Sequence, residues 1–191
     1  MRFRLYWNWL NFIGFTYAFS TQMYGIYIHG AKMIVFLTSW CGIIQCFTFL
    51  NLLSSKQSSF THYLLISSWS LGWTVTIIFW AYVYPLTDQK KLPPVPLYIS
   101  SHGGINLLIT ARYLLTNVQV QAKDFKWPCL IVLVYFLGMI MPLKFYGFTI
   151  YPHFMEKVAP TIALIFGSMS CLGLCFYVGL VIKKIEKKKS Y

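Results

Sequence analysis

The stretch Val35-Phe36-Leu37-Thr38-Ser39-Trp40-Cys41-Gly42-Ile43-Ile44-Gln45 decides how this chain is read. Apolar residues dominate it, and the run extends on both sides to cover roughly 31–53, near the ~20 residues a helix needs to cross ~30 Å of hydrocarbon. Thr38 lies about seven residues into that run, roughly 10 Å at the helical rise. A hydroxyl at such a depth has no water to serve it. It must bond the backbone, bond another side chain or do chemistry.

Similar runs recur along the chain. Six apolar spans are expected, at about 5–22, 31–53, 62–84, 97–117, 127–146 and 159–182. The sequence is 58% hydrophobic and 19% aromatic, with 10% charged residues, and its mean hydropathy is +0.60. So little charge could not cover a soluble surface. The expected fold class is therefore all-α: a polytopic membrane protein whose single domain, residues 1–191, is a six-helix transmembrane bundle. The connections Ser54–Thr61, Pro85–Pro96, Val118–Lys126 and Tyr146–Pro160 are too short for a soluble domain, and the prolines of the second forbid a helix there. Any chemistry must reside in the bundle or at its rims.

The net charge of +12 points to a membrane rather than to nucleic acid. With both termini cytoplasmic, Arg2, Arg4, Lys56, Arg112, Lys123, Lys126 and the tail lysines 183, 184, 187, 188 and 189 fall inside. Lys32, Lys90, Lys91, Lys144 and Lys157 fall outside, which is the positive-inside bias. The basic tail 183–191 would lie against anionic lipid headgroups or simply anchor the topology. Lys188-Lys189-Ser190-Tyr191 resembles a dilysine retrieval signal of the endoplasmic reticulum, and a plasma-membrane location is compatible with the same composition. Arg2 and Arg4 before an apolar stretch mimic a signal peptide, but Ala18-Phe19-Ser20 is a poor cleavage site and a retained first span is preferred. Cys41, Cys46, Cys129, Cys171 and Cys175 all fall in spans without a Cys-x-x-Cys pair, which indicates neither disulfides nor a metal.

In this topology span four enters from the same face as span two, and His102 lies about five residues in, roughly 8 Å. A hydroxyl and an imidazole at one level are the minimum for a base-activated nucleophile. Each has a plainer explanation. Thr38 could bond the carbonyl one turn earlier, and His102, followed by Gly103-Gly104, could bond across a close helix contact. Arg112 is expected to snorkel to the inner rim, Gln45 to bridge helices or face a cavity, and His29, His62 and His153 to be solvated at span ends. Ser39 and Ser101 are the nearest candidates for an oxyanion donor, with nothing to choose between them.

Phe36-Leu37-Thr38 with Ile44-Gln45 resembles the second span of the androgen-induced-gene family of membrane proteins, which includes the androgen-dependent TFPI-regulating protein. In the same order, Phe79-Trp80 with Tyr82 and Tyr84, then His102-Gly103, then Gly147, Ile150, Tyr151 and Pro152, and finally Phe166-Gly167-Ser168 and Tyr177 are similar to that family's pattern over residues 30–182. The resemblance implies a threonine hydrolase cleaving fatty acid esters of hydroxy fatty acids, with Thr38 as nucleophile and no metal or organic cofactor. The family carries two histidines three apart, the second catalytic. An ungapped register puts His102 on the first and Ile105 on the second; a shift of three puts His102 on the catalytic position. The family's acidic residue at the foot of this span is replaced by Ala111 and Arg112. The expected reaction is ester hydrolysis with Thr38 and His102 as the dyad and a lipid entering from the bilayer. The alternative is a lipid-binding or regulatory protein of the same fold that has lost half the dyad. A coupled transporter fits poorly, because Asp88, Asp124, Glu156 and Glu186 all lie outside the expected spans.

Overall fold

A computed structural model describes residues 2–54, 58–86, 99–147 and 158–189. Among these the protein is all-α, with no strand. Helix α1 spans Arg2–His29 and leads into a 3-10 segment, Gly30–Val35. Helix α2 spans Leu37–Leu53, and α3 spans Ser59–Ile78 and continues through a π turn, Phe79–Val83. A second π turn, Ser100–Gly104, opens α4, Ile105–Leu114. Helix α5, Lys126–Tyr135, carries a third π turn, Phe136–Ile140, and runs on through Met141–Phe145. Helix α6 spans Val158–Lys189.

Three helical stretches are long and apolar enough to cross a membrane: Ser59–Val83, Ala122–Phe145 and Ile165–Glu186. The apolar α2 is shorter at 17 residues. Its length departs from the continuous 31–53 span expected. Gly30, at φ 61°, turns the chain out of α1, and Phe36 is extended. Two side chains bond the carbonyls that precede the break, Trp40 Nε1 donating to Ile34 O at 2.9 Å and Tyr135 Oη to Val35 O at 2.7 Å, while Phe36 O accepts the first bonds of α2 from Ser39 N and Trp40 N at 3.0 and 3.4 Å. Thr38 is thus the second residue of α2, at its entrance rather than two turns down.

The largest buried apolar cluster joins five of the helices, and α5 packs mainly on two smaller ones. Ala18 of α1, Phe49 of α2, Ile66 and Trp69 of α3, Ile109 and Tyr113 of α4 and Phe176 of α6 all belong to one buried apolar cluster. A polar lattice threads it. Gln45 Nε2 donates to Asn106 Oδ1, and Asn106 Nδ2 donates to Gly72 O at 3.0 Å and to Thr76 Oγ1. Gln45 therefore bridges α2 to α4, one of the two roles its position allows. Amides in an apolar core fix register because each must find a partner.

At the far end from Thr38, the buried cations are held in place. Lys183 Nζ donates to Leu114 O, Thr116 O and Glu186 Oε2 at 3.1, 2.8 and 2.7 Å. Arg112 is buried rather than snorkelled: Nη1 donates to Thr116 Oγ1 at 2.8 Å, and the guanidinium lies 4.6 Å from the Trp7 ring. Lys183 is accordingly part of the bundle, and α6 stays helical through Lys189, so the expected tail begins as a helix rather than as a free segment. Asp124 is buried and its carboxylate lies 3.4 Å from His62 Nε2, so His62 faces a partner instead of bulk solvent alone. Residues 87–98, 148–157, 190 and 191, which include Pro96, His153 and the last two positions of the dilysine-like ending, lie outside the described residues.

Candidate active site

Thr38 enters the site from a helix entrance. Thr21, Thr48, Thr74, Thr76, Thr110 and Thr116 each donate to the carbonyl four residues earlier, at 2.6–2.9 Å. Thr38 does not. The extended backbone at Phe36 removes the helical geometry of that bond, and Ile34 O accepts instead from the Trp40 indole. The half-buried Thr38 hydroxyl has no hydrogen-bond partner among the described residues. The ordinary explanation for an intrahelical threonine therefore does not apply to this one.

His102 sits in the middle of the Ser100–Gly104 π turn and is 7% exposed. Its imidazole lies flat on the Phe79 ring, with centroids 3.5 Å apart and planes 2° from parallel. Trp80 Nε1 donates to the His102 carbonyl at 3.2 Å, tying the turn to α3. Imidazole Nδ1 is buried and has no partner. A buried polar atom left unpaired costs about 1–3 kcal/mol, so its persistence asks for a reason. The π turns extend this pattern: such insertions concentrate at functional sites, and α2 packs directly against the Ser100–Gly104 turn.

The two glycines after His102 differ. Gly104 faces Tyr17, whose hydroxyl occupies the space a Cβ would need, whereas nothing lies near the Cβ position of Gly103. Only Gly104 thus serves the close helix contact foreseen for the pair. Ile105 is 1% exposed and belongs to the apolar core. The Ser39 hydroxyl points away toward Met33 Sδ at 3.6 Å, which removes it as an oxyanion donor in this arrangement.

All five cysteines are free, and the described residues gather no group of His, Cys, Asp and Glu suited to a metal ion. A polar cleft of about 430 Å³, lined by His62, Tyr63, Gln121, Lys123 and Asp124 among others, opens at the opposite end from Thr38 and His102. We weigh the Thr38 end more heavily, because unpaired reactive groups define chemistry more directly than open volume between polar loops does.

Sequence reasoning singled out Thr38 and His102 as candidates and gave no sign of how the structure holds them. The donation of Trp40 and Tyr135 to Ile34 and Val35 carries no local sequence signal. Phe79 and Trp80 were visible only as part of a family-like string. Compared with family models, with curated proteins and with solved structures, the chain matches none.

Proposed function

We propose that the protein is a membrane-embedded threonine hydrolase of lipid esters, with Thr38 as nucleophile and His102 as general base. The observation that carries this reading is the unpaired, buried Nδ1 of His102 on a turn packed against α2, the helix at whose entrance Thr38 presents an unbonded hydroxyl. In the reaction His102 takes the Thr38 hydroxyl proton as Oγ1 attacks the acyl carbonyl. The ester C–O bond then breaks and the proton passes to the leaving alkoxide, releasing an alcohol. Water, activated by the same imidazole, cleaves the acyl-threonine and releases the fatty acid. The resemblance to the androgen-induced-gene family suggests fatty acid esters of hydroxy fatty acids as substrates.

The setting is a six-helix bundle in the endoplasmic-reticulum membrane with both termini cytoplasmic. Its apolar outer faces, which include Phe47, Leu50, Leu107, Leu133 and Leu137, suit lateral entry of acyl chains, and the lysine-rich end of α6 suits anionic headgroups. One observation favours the alternative. If Ile105 is the position that matches the family's catalytic histidine, its burial in the apolar core leaves the fold able to bind a lipid without cleaving it.

The experiment is hydrolysis of a fatty acid ester of a hydroxy fatty acid by membranes holding the wild-type chain, Thr38→Ala or His102→Ala. Both variants are expected to lose hydrolysis. Activity that survives Thr38→Ala sinks the reading, and a wild type that binds the ester without turnover supports the alternative.

A further inference from the structure

We propose that Arg112 centres a site for the phosphate of an anionic membrane phospholipid, where α1, α4 and α6 meet. The site is independent of the hydrolase chemistry. It rests on the reading of this end as one that meets anionic headgroups, and narrows a diffuse attraction to one place. Arg112 is 5% exposed, yet no carboxylate pairs with it among the described residues. The chain has four acidic residues, of which Asp88 and Glu156 lie outside the described residues. Asp124 accepts from the Gln121 amide at 2.8 Å and faces His62, and Glu186 accepts from Lys183. A buried charge without a counter-charge is costly, and inside a membrane span it marks a functional site by default.

The guanidinium itself shows which donors are unused. Nη1 donates to Thr116 Oγ1 at 2.8 Å, and that hydroxyl donates back to the Arg112 carbonyl at 2.6 Å, which fixes the head. The guanidinium carbon lies 4.6 Å over the Trp7 ring, a contact that attracts the charge without neutralising it. Nε is buried with no partner, and Nη2 has none either but is not sealed from solvent. The N–H bonds of Nε and Nη2 run parallel on one edge of the plane. That edge is the fork that fits two oxygens of one phosphate. The surroundings favour an anion further. Lys183, 6% exposed, donates to the carbonyl of the same Thr116 at 2.8 Å, so two buried cations meet at one residue with a single carboxylate between them. All three Lys183 donors are taken, so it adds positive field rather than a ligand. Arg112 lies in the last turn of α4 and Trp7 in the second turn of α1, where a spanning helix meets the headgroups. Basic pockets between transmembrane helices bind such headgroups.

The test uses the purified full chain in neutral detergent at about 0.5 M salt, which screens exposed lysines more than buried groups. Native mass spectrometry and thermal unfolding are read with phosphatidylglycerol, with phosphatidylcholine, whose phosphate carries its own cation, and with inorganic phosphate. The wild type is expected to hold one phosphatidylglycerol saturably and to unfold at a higher temperature with it. Arg112→Lys keeps the charge but not the fork, and its affinity should fall about tenfold. Replacing Lys187, Lys188 and Lys189 by Gln should leave the one-to-one binding intact. A phosphatidylglycerol with a photoreactive headgroup should label the wild type around Trp7 and Thr116, a readout that needs no variant. Undiminished binding in Arg112→Lys, or labelling confined to residues 187–189, overturns the site and leaves the diffuse attraction of the tail standing. Stabilisation by inorganic phosphate that is lost in Arg112→Lys, with no lipid held, keeps the fork and gives it to a free phosphate. A wild type with no preference for the anionic lipid even at low salt fails the headgroup reading and this site together.

Discussion

The two ends of the bundle differ in how far their polar groups are tied to partners. At the Arg112 end Lys183 spends its donors on two backbone carbonyls and a carboxylate, and Arg112 Nη1 donates to Thr116, although Arg112 Nε and Asn11 Oδ1 are also buried without partners. At the Thr38 end the amide and hydroxyl of Thr38 and the Nδ1 of His102 are left without partners. The first pattern is what stability requires of buried charge. The second works against stability and is what a reactive site tolerates. The contrast is one of degree: at one end Lys183 ties α6 to the end of α4, while at the other neither Thr38 nor the His102 nitrogen is tied to a partner.

Substitutions can break or sharpen that contrast. The largest effect is expected from Thr38→Ala, which should lower ester hydrolysis by at least ~10³-fold, or about 4 kcal/mol of barrier. Because its hydroxyl supports nothing, thermal unfolding in detergent should move little. A large loss of stability there would erase the contrast.

Lys183→Met is expected to do the reverse. It strands the carbonyls of Leu114 and Thr116, and should destabilise the bundle by about 3 kcal/mol. Hydrolysis per folded molecule should stay near wild type. Denaturant titration reads the stability, and a loss under about 1 kcal/mol would show that this end is not a fastening.

Asn106→Ala lies between the ends. It breaks the link of α2 to α4 and α3 and leaves Gln45 unpaired, for a cost of about 1–2 kcal/mol by the same titration. Activity should fall partly, since α4 carries the His102 turn.

The smallest effect belongs to His62→Gln. The contact with Asp124 is long at 3.4 Å and the histidine side chain is 24% exposed, so the change should be within about 0.5–1 kcal/mol. A larger loss would assign the polar cleft beside it a structural role.

How much of this was written in the sequence follows from the range of each signal. Hydropathy runs located the six main helical stretches, because burial of a whole rod is a property of composition. The end of α1 at His29, the start of α2 at Leu37 and the end of α6 at Lys189 nevertheless each lie six or seven residues from the expected bounds of 22, 31 and 182. Thr38 and His102 stood out because polar groups in apolar runs are rare. The break before α2 did not, since it depends on Tyr135 reaching Val35 across a separation of 100 residues. Nor did the π turn under His102, where one extra residue per turn rotates the following side chains.

The most direct test of the central claim is where a reactive probe attaches. Treat wild-type membranes with a lipid-like fluorophosphonate and map the modified peptide by mass spectrometry. The account predicts an adduct on Thr38 that is lost in His102→Ala. An adduct on any other residue, or on Thr38 at an undiminished rate without His102, would contradict it.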